Sequence, residues 1–132
     1  MNEGQLTRFA KLKGIAPQFV VSDVVKTAEY YRDVLGFKIL DYFLDPPVFR
    51  MVTRKNEVEI HFGTLDRKTG DSNDSERKVG LDAYVWVTDI DEIFRELRAR
   101  GAEIVEGPVN RSYGKREFVV RDCNGFKIAF GR

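Results

Sequence analysis

The sequence predicts an α+β fold: two βαβββ repeats forming curved mixed sheets, with helices on the outer face and a cup on the inner face. Three observations lead there. The first is an internal repeat. Ala16-Pro17-Gln18-Phe19-Val20-Val21-Ser22-Asp23-Val24 shares its pattern with Asp82-Ala83-Tyr84-Val85-Trp86-Val87-Thr88-Asp89-Ile90, an apolar alternation followed by a hydroxyl-Asp-aliphatic step. Glu59-Ile60-His61-Phe62-Gly63 likewise matches Lys127-Ile128-Ala129-Phe130-Gly131. The second observation is that helix-start signals follow the first strand of each repeat, and the third is that the remaining segments alternate with the period of strands.

The elements follow in order. Residues 1–13 form a polar, charged arm. Repeat one, residues 14–64, opens with a strand, after which Ser22 and Asp23 offer side-chain oxygens to the first free amides of a helix. In Val25–Leu35, Ala28, Tyr31, Val34 and Leu35 share one face, and Gly36 suits the left-handed exit. Strands are predicted at Lys38–Leu44, Phe49–Thr53 and Val58–Phe62. Residues 65–78, rich in Lys, Asp, Ser and Asn, cannot repay their ordering entropy by burial and read as a mobile linker. Repeat two, residues 79–132, repeats the scheme: Thr88-Asp89 cap, a helix with Ile90, Ile93, Phe94 and Leu97 on one face, Gly101, then strands at Glu103–Glu106, Glu117–Arg121 and Phe126–Phe130. Asp122-Cys123-Asn124-Gly125 reads as a hairpin turn, Asn-Gly accepting positive φ.

Composition bounds the rest. The 132 residues suit one domain, and 22 basic against 21 acidic side chains leave no field to draw nucleic acid or an anionic membrane. The basic cluster Lys11–Lys13 is too short to change that, and no phosphate-cradling glycine loop is present. A single cysteine, Cys123, excludes an internal disulfide and suits a reducing compartment as a structural thiol. With no secretory signal and no membrane-length apolar run, cytoplasmic residence is expected. A half of about fifty residues is marginal alone, so the halves must share a core, within one chain or between two, and a homodimer is predicted.

Strand parity then assigns faces. Phe19, Val21, Val58, Ile60, Phe62, Ala83, Val85, Val87, Phe126, Ile128 and Phe130 should lie beneath the helices. The opposite face carries Ala16, Gln18, Val20, Glu57, Glu59, His61, Asp82, Tyr84, Trp86, Thr88, Lys127 and Ala129. Polar groups mixed with large aromatics suit a wet concave surface for a small molecule. Of the adjacent pair Arg116 and Glu117 only one can face the cup; parity is set here in favour of Arg116, with Tyr113 at the rim. His61, the one histidine, is either a hydrogen-bonded structural residue or is oriented by Asp82 toward ligand. Tyr84 and Trp86 either pack or stack on a flat ligand.

Tyr113-Gly114-Lys115-Arg116-Glu117-Phe118 with Asp122-Cys123-Asn124-Gly125 resembles the aromatic-Gly-x-Arg-Glu-Phe…Asp-Pro-x-Gly signature of the glyoxalase, bleomycin-resistance and dioxygenase (vicinal oxygen chelate) superfamily. Val24 to Phe37 resembles that family's first helix and exit turn, and Cys123 replaces the usual turn proline. Metal-dependent members place His, Glu or Gln ligands at cup positions that correspond here to Ala16, His61, Asp82 and Ala129. Two of these are alanines, whereas an open catalytic site needs about three protein ligands. Glu59 and Gln18 each lie two residues along a strand, about 6.6 Å away. The resemblance therefore implies the metal-free, bleomycin-resistance-like branch: a binder without cofactor that sequesters an antibiotic or metabolite, with Gln18, Glu59, His61, Asp82, Tyr84, Trp86, Tyr113 and Arg116 as ligand contacts. The alternative is a divalent-metal lyase, isomerase or dioxygenase using His61, Asp82 and Glu59; a third reading is a partner module whose cup takes nothing small.

Overall fold

A computed structural model of the chain describes residues 10–40, 47–55, 57–64 and 80–132. The expected linker, most of the arm and the end of the second predicted strand lie outside them. Within them, each half has the predicted order. The first runs β1 (Gln18–Val20), α1 (Val24–Asp33), β2 (Lys38–Leu40), β3 (Phe49–Arg54) and β4 (Val58–Gly63). The second runs β5 (Ala83–Trp86), α2 (Ile90–Ala99), β6 (Glu103–Asn110), β7 (Arg116–Arg121) and β8 (Lys127–Gly131). The two four-stranded sheets have matching orders, β1-β4-β3-β2 and β5-β8-β7-β6. In each the first strand is parallel to the last and the other pairs are antiparallel.

The repeat holds at the level of register. Gln18 pairs with His61 and Val20 with Gly63, as Tyr84 pairs with Ala129 and Trp86 with Gly131. Both helices start at an aspartate whose backbone is still extended: Asp23 Oδ1 accepts from Lys26 N at 3.0 Å and Asp89 Oδ1 from Glu92 N at 3.1 Å. Val24, Thr27, Ala28 and Tyr31 form the buried stripe of α1, a 3–4 spacing that laps one face. The hairpin turn differs from the expectation. Only Gly125 takes a positive φ, of 89°. Gly125 N donates to Asp122 O (3.1 Å), and the Asp122 carboxylate accepts from Asn124 N (2.8 Å) and Phe126 N (2.9 Å), so the turn is tied by an aspartate side chain rather than by an Asn-Gly pair of left-handed residues.

One core serves both halves. Phe19, Tyr31, Phe62 and Ile60 from the first join Leu97, Phe118, Ile128 and Phe130 from the second in a single apolar cluster. Phe19 stacks on Phe126 at 4.4 Å, Tyr31 Oη donates to Asp122 Oδ2 at 2.5 Å, and Asn124 Nδ2 donates to Thr27 Oγ1 at 2.9 Å. Arg54 adds a clamp, donating to both Glu96 oxygens (2.7 and 2.8 Å) and to Leu35 O just past α1. The apolar parity set thus faces inward as expected, and the mixed face of each sheet is turned away from this core. Burial, with Asp122 beside it, pushes the Cys123 thiol up to about 11, which favours its protonated form.

Candidate ligand-binding cup

The cup face of the first half is built on the β1–β4 register. Gln18 and His61 are opposite each other, and Gln18 Nε2 donates to His61 Nδ1 at 2.5 Å. That bond leaves the ring proton on Nε2, which meets Glu59 Oε2 at 2.6 Å. Phe49, from β3, lies edge-on to the imidazole at 5.3 Å. With both ring nitrogens engaged, neither is left for Asp82. Asp82 sits beside β8 on the other sheet, where its Oδ2 accepts from Lys127 N at 2.8 Å. Within one chain the expected His61–Asp82 pair is therefore not made.

The second half carries a denser constellation. Tyr84 Oη donates to Glu117 Oε2 at 2.5 Å; Tyr113 Oη and Arg111 Nε donate to Glu117 Oε1 at 2.5 and 2.8 Å. Glu117 is 4% exposed. Burial pushes its carboxyl upward, but the hydrogen bonds from Tyr113, Tyr84 and Arg111 outweigh it and hold the group below the usual glutamate range. The phenol moves the other way: burial, then the bond to Glu117, raises Tyr84 to about 12. Gly131 makes the arrangement possible, since a Cβ there would overlap the Tyr84 hydroxyl. Beside it, Trp86 (64% exposed) lies 4.7 Å from the Tyr84 ring and holds the Lys115 ammonium 5.0 Å from its own, while Tyr113 (63% exposed) stands at the rim.

Parity corrects one expectation. Phe118 pairs with Phe130 and stacks on it at 5.0 Å under the helices, so its neighbour Glu117, opposite Gly131, takes the cup face. Arg116 points the other way and pairs with Asp91 of α2 at 3.0 Å. Glu117 and Arg111 thus stand in the candidate cup, where the sequence reading set Arg116 in place of Glu117 and did not name Arg111. Counting β7 back from Phe130 across the hairpin would have found Glu117, because the register shifts lie between β6 and β7 and not between β7 and β8. Glu57 and Thr88, placed in the cup by alternation, instead line a groove between the halves.

The donor set is incomplete at the four positions expected of metal-dependent relatives. Ala16 and Ala129 bring methyl groups to two of the four corresponding positions, His61 is hydrogen-bonded at both ring nitrogens, and Asp82 Oδ2 accepts from a backbone amide. Among the described residues no three His, Cys, Asp or Glu side chains cluster closely enough to hold a cation. Nor is any helix among them long and apolar enough to cross a membrane.

Comparison with known proteins agrees with the fold. Over 108 residues the chain is 25% identical to a Salmonella typhimurium protein called virulence protein STM3117, covering 80% of this chain and 73% of that one. Among solved structures, TioX from Micromonospora sp. ML1 matches with a TM-score of 0.70 at 21% identity, over 91% of this chain and 98% of its own. The bleomycin-binding protein of Streptomyces verticillus, solved with copper(II)-bleomycin, gives 0.69 at 24% identity, over 92% and 97%. With residues 11–130 matching the family profile, the chain belongs to the Glyoxalase/Bleomycin resistance protein/Dioxygenase superfamily.

Proposed function

We propose that the protein is a metal-independent small-molecule binder whose cup takes a flat ligand rich in hydrogen-bond donors. One observation carries the reading: both cup phenols spend their protons on Glu117, so what Tyr84 and Tyr113 offer a ligand is oxygen lone pairs, beside an exposed indole. The first half is similar in kind. Gln18 donates to His61 and His61 to Glu59, which leaves the Gln18 carbonyl and the Glu59 carboxylate as acceptors. Such a surface suits sequestration of a basic or amide-rich antibiotic or metabolite. Asp82 and Tyr113 extend the same acceptor character. Cytoplasmic residence belongs to the same reading.

A homodimer completes it. Each cup face is open within one chain, with Val20, Trp86, Val105 and Tyr113 exposed. A second copy that lays its first-half face against the second-half face of its partner closes the hollow and brings the partner's acceptors to the same ligand.

The test is a titration with copper(II)-bleomycin, the ligand of the Streptomyces relative, together with a metabolite library, read by Trp86 fluorescence and calorimetry. A saturable fluorescence change that weakens in Glu117→Gln is expected. Calorimetric binding with a flat Trp86 signal sinks the stacking role. The rival reading, a divalent-metal enzyme, is favoured by the adjacency of Gln18, His61 and Glu59, three potential donors within bonding reach of one another. Stoichiometric metal in protein purified without chelator, lost in His61→Ala, decides for that rival.

A further inference from the structure

A second hollow lies outside the cup, where the β3–β4 turn of the first half meets the start of α2. Its volume is about 250 Å³. Phe37, Val58, Val85, Val87, Ile93 and Phe130 form apolar walls that reach the shared core. The rim is charged. Arg54 and Glu96 neutralise each other through their two-pronged bridge. What remains is Glu57, Asp89 and Glu92 against Lys55, three carboxylates to one ammonium. The start of α2 adds roughly half a positive charge and Lys115, held over Trp86 at the edge of the hollow, adds a whole one, so the excess is still negative but small, and it lies with the carboxylates. Asp89 is already committed to capping the helix, whereas the carboxylates of Glu57 and Glu92 have no ion-pair partner among the described residues. Trp86 edges the hollow, but its ring already holds Lys115, so the attraction rests on the carboxylates rather than on the indole.

We propose that this groove between the halves binds a small amphipathic organic cation, an ammonium carried on an aromatic or branched aliphatic body. The apolar part replaces water along Val58, Val85, Val87 and Ile93, and the ammonium sits at the mouth between Glu57 and Glu92. A neutral ligand gains the walls alone, and an anion is repelled by the rim. The site is small, so it discriminates by size: a benzyl-sized body fits where a polycyclic one does not. It also lies against the Arg54–Glu96 clamp, so a cation seated there is held by residues of both halves.

The test uses the full chain with labelled methyl groups, titrated at constant ionic strength with benzyltrimethylammonium chloride and, separately, sodium phenylacetate. Saturable movement of the Val58, Val85, Val87 and Ile93 methyl resonances with the cation and none with the anion is expected. Glu57→Gln/Glu92→Gln, which keeps shape and removes two exposed charges, should weaken the cation roughly three- to ten-fold, each screened charge contributing modestly. Unmoved groove methyls overturn the proposal, as do equal binding of phenylacetate or an unchanged affinity in the double variant. A response confined to the methyls of Val20, which is exposed on the cup face, places the cation in the cup and equally overturns it. The cup reading has its own probe in copper(II)-bleomycin, so either can fail without the other.

Discussion

Gly131 and Glu117 show how much of the site is decided by single atoms. Because Gly131 lacks a Cβ, the Tyr84 phenol can lie across β8 and reach Glu117. Gly131→Ala should push the ring away, bring the Tyr84 hydroxyl from about 12 back toward the ordinary tyrosine value, and cost about 1–3 kcal/mol for the buried carboxylate left short of a donor. Titration of ring-labelled tyrosines by NMR checks this, and an unmoved Tyr84 curve refutes it. Glu117 itself makes stability pH-dependent. Its carboxyl titrates lower in the folded chain than in the unfolded one, so its contribution is complete above the ordinary glutamate value near 4.5 and disappears as pH falls through the lower folded value. Denaturation should therefore show Glu117→Gln well below the parent at pH 7, with the gap closing below about pH 4; a gap constant with pH contradicts the assignment. Strand parity marks Tyr84 and Trp86 as aromatics on a polar face, and the choice between Arg116 and Glu117 turns on a one-residue parity that counting across the β7–β8 hairpin settles and counting across the bulged β6–β7 pair does not; Gly131 and Arg111 carry no local sign of their part.

At the scale of elements the sequence spoke more clearly, because helix starts are chemical events that residues announce locally. Asp23 and Asp89, at the same point of each repeat, each accept one of the first orphan amides. Asp89→Ala should cost about 1 kcal/mol, and thermal melts of the single variants at Asp23 and Asp89 should show similar losses since the caps are equivalent. The strands were legible for the same reason that their registers repeat: alternation survives wherever one face is buried. What local pattern could not supply was the tie between elements. Arg54 lies in an exposed-looking Thr-Arg-Lys run, yet it binds Glu96 and the Leu35 carbonyl. Arg54→Met keeps the stem and removes the bridge. About 1 kcal/mol is the expected loss, discounted because both partners remain partly exposed. The Glu96 carboxyl, held low first by that hydrogen bond, contributes stability above its ordinary range that fades in acid. The Arg54→Met penalty should accordingly shrink as pH falls, which denaturation at pH 7 and pH 3 measures.

For the whole molecule the question is whether two similar halves behave as one body. The internal repeat suggests independent modules, and length alone argues against them, since about fifty residues bury too little surface to fold alone. The contacts that join them are long-range and specific. Tyr31 and Asp122 are 91 residues apart in sequence and share a buried hydrogen bond, and Phe19 stacks face to face on Phe126. No periodicity analysis reveals such pairs, because neither partner has a local reason to be what it is. Asp122 looks like a turn former, yet it also anchors the opposite helix, and burial holds its carboxyl above the usual aspartate range despite the donors around it. If one core serves both halves, damage on either side must lower the stability of both together. Phe126→Ala removes a stacked ring from the junction and should cost about 3–5 kcal/mol, while unfolding stays a single transition with fluorescence from Trp86 in the second half and circular dichroism from both halves coinciding. Two separated transitions, or loss of the second half alone with the first half's signal intact, show instead that the repeats fold as neighbours rather than as one domain. The shared cluster of Phe19, Phe62, Phe118 and Phe130 is the physical reason to expect the single transition: it has no boundary along which the two sheets could part without exposing aromatic surface from both.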